Sequence, residues 1–436
     1  MRKTTIAAHI KWIMAFMSLF FCLGGTVFAD VSPGDVIDKT NWEKVKGMVP
    51  DSVLEWVKKG DFVLNIGKLN FDPKEAYPDF ALDTLKSNVG KYKLNDKQQI
   101  VEAATGKPAP VIGIPFPKVD LSDPKAPDEL LYNMHMSRYL CGHLKFRDVI
   151  EWIGRSGLER TIDGIYQSAM YTGYPETKGI KNPDGFQYQN IIVITKPFDV
   201  AGTAVMLWRY QDQRPDSNYS YVPAIRRVRR MSPASRSDAF VGSDFCLDDS
   251  AGYDGKVSAF EWKIVKTQDA LLPYASGDYQ EVVKQPGGKG VCSTKNMKRV
   301  ILGYEKKDGK TTPWAMTNII YVKRKVYVIE GKAKDPYYNY GPTYLWMDAE
   351  RFGVGYKVIF DRANKYWKTA VTPAAYVSTK DGSYRSLEYA GMLMVDDRRQ
   401  HATYARQCDP DNQWCWQVTG TDLNDYTLGG FQKYCK

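Results

Sequence analysis

Histidine is scarce in this sequence. Only four of its 436 residues are histidine, and beyond residue 29 just His135, His143 and His401 can serve as imidazole bases. No cysteine and histidine spacing matches a zinc site, and no Cys-x-x-Cys-His haem attachment occurs. A Walker loop and a dinucleotide fingerprint are both absent. Ser243 sits in Val-Gly-Ser-Asp-Phe, which lacks the second glycine of a nucleophile elbow. Asp244, Asp248, Asp249 and Asp254 are oxygen ligands by type, but without the spacing and central glycine of a calcium loop. After Phe28 no stretch is long and apolar enough to span a bilayer. The sequence therefore nominates no catalytic residue, no metal and no cofactor. A periplasmic hydrolase built on Ser243 is the weakest reading it leaves.

What the chain does contain begins with an export signal. Arg2, Lys3 and Lys11 precede an apolar segment, Trp12 to Phe28, closed by Val27-Phe28-Ala29. That pattern predicts a secretory signal peptide over residues 1–29. A retained anchor is the alternative, against which the apolar segment is short. Phe20 and Phe21 before Cys22 argue against a lipoprotein signal. Cleavage takes the net charge from +10 to +7. Such a balance favours anionic ligands or an anionic membrane surface, and is no nucleic-acid footprint by itself. Six cysteines remain, which allow fifteen pairings in an oxidising compartment. Cys408, Cys415 and Cys435 cluster near the end, and Cys408 is expected to pair with Cys415 or Cys435.

Apolar spacing divides the rest. Residues 30–147 read as a mainly helical N-terminal region, with helices restarting at Pro50-Asp51-Ser52, spanning Asp79 to Val89, and running from about Pro127 to Phe146. His135 and His143 would share a side of the last helix. Residues 148–372 read as strands with short polar turns. In Thr203 to Tyr210 both alternating faces carry apolar groups, as in a sheet covered on two sides or lining a cavity. Residues 373–436 read as a strand or two and a Cys-rich tail. The fold class is mainly β (α+β): one large curved antiparallel sheet or open barrel, with the early helices over its concave side.

Two residue sets stand out. Arg226, Arg227, Arg229 and Arg230 fall within five residues, followed by Asp244, Asp248 and Asp249. Arg226 and Arg230, on one face of a strand, are expected to form structural salt bridges with those aspartates. Arg227 and Arg229, on the other, are candidate contacts for an anionic headgroup. Trp208, Tyr210, Tyr221, Phe260 and Trp262 are candidate wall residues for a lipid-like ligand, since such side chains combine wide apolar contact with a polar tip.

Five segments carry a family resemblance: Gly-Ile-Pro-Phe-Pro (113–117), Lys-Pro-Phe-Asp-Val-Ala-Gly-Thr (196–203), Tyr-Val-Pro-Ala-Ile-Arg-Arg-Val-Arg-Arg (221–230), Val-Gly-Ser-Asp-Phe (241–245) and Lys-Asp-Pro-Tyr-Tyr (334–338). Together, over about residues 40 to 370, they resemble a family of Gram-negative envelope proteins of unknown function, described as outer-membrane lipoprotein-sorting-protein-like. The Cys-rich end after Asp396 falls outside the resemblance. It implies a fold of LolA/LolB type, an unclosed barrel with helices over an apolar cavity. It also implies a hydrophobic pathway shared with a resistance-nodulation-division (RND) exporter, and carries over no catalytic residue. The expected function is a periplasmic or outer-membrane-associated carrier of a lipid, lipoprotein or other hydrophobic ligand, with peripheral membrane contact and an envelope transporter or outer-membrane protein as partner. A non-catalytic structural adaptor of an envelope transport complex is the alternative.

Overall fold

The computed structural model describes residues 31–406 and 414–435. The signal segment and Cys408 lie outside them. The N-terminal region holds β1 (Val36–Ile37), α1 (Asp51–Lys59), β2 (Leu64–Asn65), α2 (Asp79–Ser87), β3 (Tyr92–Leu94), β4 (Ile100–Glu102) and α3 (Ala126–Tyr139). Helix α1 starts after Pro50 and stops at Gly60, whose left-handed φ of 82° only glycine adopts without strain. Helix α3 ends well before the expected Phe146. Gly142 (φ 70°) turns the chain there, and Leu144 onwards pairs as a strand instead.

Six strands then run as successive antiparallel neighbours: β5 (Leu144–Gly154), β6 (Gly157–Met170), β7 (Phe186–Lys196), β8 (Ala204–Tyr210), β9 (Ser217–Val222) and β10 (Arg227–Met231). After an irregular segment, 232–259, come β11 (Phe260–Tyr274), β12 (Gln280–Lys284), β13 (Val291–Ser293), the short α4 (Gly303–Lys306), β14 (Ile320–Ala333), β15 (Thr343–Asp348), β16 (Val354–Phe360) and β17 (Tyr366–Val371). The chain closes with β18 (Ala374–Ser378), β19 (Arg385–Tyr389), β20 (Gly391–Asp396), β21 (His401–Arg406), β22 (Cys415–Trp416) and α5 (Leu428–Phe431).

In space the main ladder is antiparallel throughout, in the order β10-β9-β8-β7-β6-β5-β21-β20-β17-β16-β15-β14-β11. So many twisted strands curl rather than lie flat. Residues 391–406 fall where the sequence reads as a strand or two before a Cys-rich tail, and they supply two central strands of the main ladder. A minor arc, β5-β22-β13-β12-β18, touches β11 through the single parallel pair Tyr274 and Ala374. It completes a ring of strands around the curved sheet without a regular barrel ladder. Within the arc Cys292 and Cys415 form a disulfide, so Cys415 is not joined to Cys408 or Cys435 as expected.

Both faces of the sheet are covered, and strand alternation assigns residues to them. Leu345, Met347, Met392 and Met394 face a core built with α3 and residues from 245 to 257. Their neighbours Trp346, Leu393 and Val395 face a second core built with α1 and the chain around it. We call these the inner and outer faces. On β6 to β9 the outer side is capped by the C-terminal segment, through Tyr426 and Phe431. Among the described residues no helix is long and apolar enough to cross a membrane.

Candidate functional site

On the inner face the segment 232–259 fills most of the space between sheet and α3, and ion pairs fix it there. Asp254 lies at the centre, almost fully buried. Its carboxylate accepts hydrogen bonds from Arg138 Nη1 (3.1 Å), Arg236 Nη2 (3.1 Å) and Tyr188 Oη (2.9 Å). Its carbonyl accepts from Arg209 Nη2 (2.6 Å) and Arg236 Nη2 (2.9 Å). Arg209 also grips Asp216, and Arg236 grips Asp248. Three arginines thus meet three aspartates in a dry site, the arrangement that makes buried charge tolerable. Although burial opposes ionisation, Arg209, Arg138 and Arg236 hold the Asp254 carboxyl down at about 2. Burial, together with Arg209 and Arg138, pushes His135 down to about 3, so its neutral ring sits against the Tyr253 carbonyl.

Two further pairs extend this plug. Asp249 bonds Lys357 Nζ at 2.7 Å and Tyr340 Oη at 2.8 Å. Asp244 bonds His401 Nδ1 at 2.6 Å and Thr403 Oγ1 at 2.8 Å. What remains open is a cavity of about 140 Å³. Phe146, Ile150, Met392 and Trp414 line it beside Arg138, Asp148 and Glu388. Burial pushes the Asp148 and Glu388 carboxyls up to about 7. This space is below the range of about 300–1,000 Å³ usual for small-molecule sites.

The outer face differs. Between α1 and the sheet runs a groove of about 720 Å³. Its floor is Val265, Val328, Tyr344, Trp346, Val358, Phe360 and Tyr366, on β11 and β14 to β17. Cross-strand pairing aligns them: Val328 opposes Trp346, Tyr344 opposes Val358, and Phe360 opposes Tyr366. Lys266 Nζ stands 5.6 Å from the centre of the Trp346 ring, a cation beside the apolar floor. Val53, Leu54, Trp56 and Val57 of α1 are buried in the core below, while Glu55 and Lys59 rim the groove. Polar attachment of this cover is sparse. Trp56 Nε1 donates to both Asp397 oxygens at 2.9 and 3.0 Å, Tyr366 Oη donates to the same carboxylate, and Ser52 Oγ meets Thr369 Oγ1 at 2.7 Å.

The residues singled out in the sequence do not assemble into one wall. Trp208 and Tyr221 lie on the outer face under the C-terminal segment, with Trp208 Nε1 donating to the Tyr426 carbonyl at 2.7 Å. Tyr210, at the end of β8, stacks on Phe186 and carries the Arg214 guanidinium over its ring. Phe260 and Trp262 lie on the inner face, stacked 5.1 Å apart, and Trp262 Nε1 ties down the Val257 carbonyl. None of these five lines the groove or the inner cavity. Asp244, Asp248 and Asp249 do form ion pairs, but with His401, Arg236 and Lys357. Arg226 and Arg230 are not their partners: Arg226 occupies the turn before β10 with φ 53°, and both are exposed. Arg227 and Arg229 are exposed on β10. His135 and His143 share no helix face, because His143 lies beyond α3 and accepts from the Met170 amide. Ser243 is buried, its Oγ bonded to the Phe245 carbonyl.

Sequence reasoning missed Arg209 and Lys357, although each is a cation in a mostly apolar strand, the usual mark of a buried pair, and it missed Arg236, which stands in a polar turn without that mark. It also passed over the floor aromatics Tyr344, Trp346, Phe360 and Tyr366, whose period-2 spacing on neighbouring strands was visible.

Architecture and site together define a mainly β protein: one large curved antiparallel sheet, covered on both faces, with an aromatic groove under a helix. The chain belongs to the family described as protein of unknown function DUF1329, whose model matches residues 36–429. The match runs well past the resemblance read from the sequence and takes in β20 to β22. No curated protein matches the chain. Solved structures that do match include a putative outer membrane lipoprotein-sorting protein domain from Vibrio parahaemolyticus, 16% identical, covering 70% of this chain and 98% of its own, with a TM-score of 0.43. A DUF1329 family protein from Desulfovibrio piger is 14% identical, covering 68% and 96%, with a TM-score of 0.42. A LolA superfamily protein from Nitrosomonas europaea is 10% identical, covering 68% and 96%, with a TM-score of 0.40.

Proposed function

We propose that this protein binds a lipid-like or otherwise hydrophobic molecule in the cell envelope and carries it, non-catalytically, with α1 as a movable cover. The observation that carries the reading is the outer groove. At about 720 Å³ it has the size of a ligand site, with an apolar, aromatic floor and charged groups only at its rim. An acyl chain laid along the floor gains ~0.8 kcal/mol for each CH₂ removed from water. Lys59 and Lys266 are placed to meet an anionic headgroup. The disulfide supports an oxidising compartment such as the periplasm, in line with the signal pattern of residues 1–29. Exchange of cargo with an RND-type exporter or an outer-membrane partner completes the reading.

Native mass spectrometry of the protein taken from the periplasm, followed by lipid extraction, tests it. A bound amphiphile of defined mass is expected, together with saturable binding of a fluorescent fatty acid. Val358→Arg places a charge on the groove floor at a half-buried position, and is expected to weaken that binding at least tenfold with little change in melting temperature. A clean apo mass and unchanged probe binding by Val358→Arg would sink the proposal.

A further inference from the structure

The edge of the main sheet carries a feature that the groove does not use. Strand β10 pairs with β9 and, among the described residues, with no other strand. Arg226, Arg227, Arg229 and Arg230 are all exposed there, and none forms an ion pair among the described residues. Among the described residues the one side-chain hydrogen bond in the set is Arg230 Nη2 to Ser217 Oγ at 3.3 Å. Charges on an edge strand also discourage pairing with other chains, which is the bland account of these arginines.

That account leaves the neighbouring hairpin tips unexplained. Ala204 opposes Tyr221, so the β7–β8 and β9–β10 turns emerge at the same end of the sheet. With strands about 4.8 Å apart, the two tips stand about 10 Å from each other. The first tip holds Phe198 at 98% exposure, and the second holds Val222 at 38% and Ile225 at 42%. A phenylalanine wholly in water gains nothing for the fold. Asp199, the acid next to Phe198, is occupied by Arg160 at 2.6 Å, so it does not neutralise the arginines. Lys196, also exposed, is paired with Asp163 at 3.7 Å and adds no free charge to the set.

From this juxtaposition we infer that the β7–β8 and β9–β10 tips form a docking surface for an anionic phospholipid membrane. Phe198 and Ile225 enter the headgroup–acyl boundary, and the four arginines of the β10 edge engage lipid phosphates. The surface is separate from the groove and does not depend on the carrier reading. Exposed apolar tips flanked by cations fit a lipid bilayer better than an acidic protein strand, which would leave Phe198 in water.

Cosedimentation of the mature protein with phosphatidylcholine vesicles, with and without phosphatidylglycerol, tests the inference. Binding is expected only with the anionic lipid and should fall as salt rises. Arg227→Gln and Arg229→Gln should each weaken partitioning about fivefold. Phe198→Asp should weaken it at least tenfold, and Phe198→Leu should retain most of it. The groove variant Val358→Arg should bind vesicles normally, which separates this surface from the ligand site. Equal binding to neutral vesicles, or full binding by Phe198→Asp, overturns the proposal. So does capture of a polyglutamate peptide that depends on the arginines while wild-type protein ignores anionic vesicles.

Discussion

The two faces of the sheet are covered by opposite means. Over the inner face the segment 232–259 is fixed by buried charges, each with a dedicated partner: Asp254 with three arginines, Asp249 with Lys357, Asp244 with His401. Over the outer face α1 rests on apolar contacts, with Asp397 and Thr369 as its polar anchors. Displacing the first cover strands ions in a dry interior, which costs several kcal/mol per charge. Displacing the second exposes hydrocarbon gradually and breaks a few hydrogen bonds, each worth about 1 kcal/mol. A curved sheet with two apolar faces can thus have one face committed to stability and the other free to open.

The strongest way to break this contrast is at the inner centre. Asp254→Ala leaves Arg138, Arg209 and Arg236 short of a shared counter-charge and is expected to lower stability by about 3–5 kcal/mol. Urea unfolding followed by tryptophan fluorescence measures it. A loss below about 1 kcal/mol would show that the arginines rearrange and that the plug is as loose as α1.

The next effect is a pH dependence carried by a carboxyl on the inner face. Burial raises the Glu388 carboxyl to about 7, so between about pH 4.5 and 7 the folded state keeps a proton that the unfolded chain releases. The stability linked to this group is therefore full below about pH 4.5 and is lost as pH rises towards 7. Glu388→Gln stays neutral and should remove up to about 3 kcal/mol of that loss. Melting curves of both proteins at pH 5 and pH 8 read it out: the gap between them should be wide at the higher pH and narrow at the lower.

Much of this contrast was legible before any fold was known, and the missing part has a physical cause. Alternation within 203–210, a local property of a strand, left a sheet covered on two sides or one lining a cavity, and the first holds. The helix start at Pro50-Asp51-Ser52 and its stop at Gly60 were equally local. The pairing of charges was not. Arg236, the arginine nearest to the aspartates in sequence, does pair with Asp248, but Arg226 to Arg230 do not, because the chain turns at Arg226 and sends β10 to the sheet edge. Lys357 and His401, more than a hundred residues away, come under the aspartates only because β16 and β21 lie near the middle of the ladder. The same non-local order hid the central place of β20 and β21, in a region that read as a strand or two before a tail. It also scattered Trp208, Tyr221, Phe260 and Trp262 over two faces that sequence spacing alone does not tell apart.

The smallest expected effect sharpens the contrast most directly, because it touches the outer cover alone. Asp397 accepts from Trp56 of α1 and from Tyr366 of β17, so it is the main polar link between cover and sheet. Asp397→Ala removes that link and leaves the apolar contacts of Val53, Leu54 and Val57 in place. The expected cost is about 1 kcal/mol, appearing as local opening rather than global unfolding. Native-state hydrogen exchange should then show the amides of Asp51–Lys59 exchanging roughly fivefold faster, since about 1 kcal/mol shifts an opening equilibrium by that factor. Amides of α3 and the segment 232–259 should keep their wild-type rates. Uniform acceleration across both covers would mean that the two faces open as one unit, and the outer groove would lose its claim to a separate, movable lid.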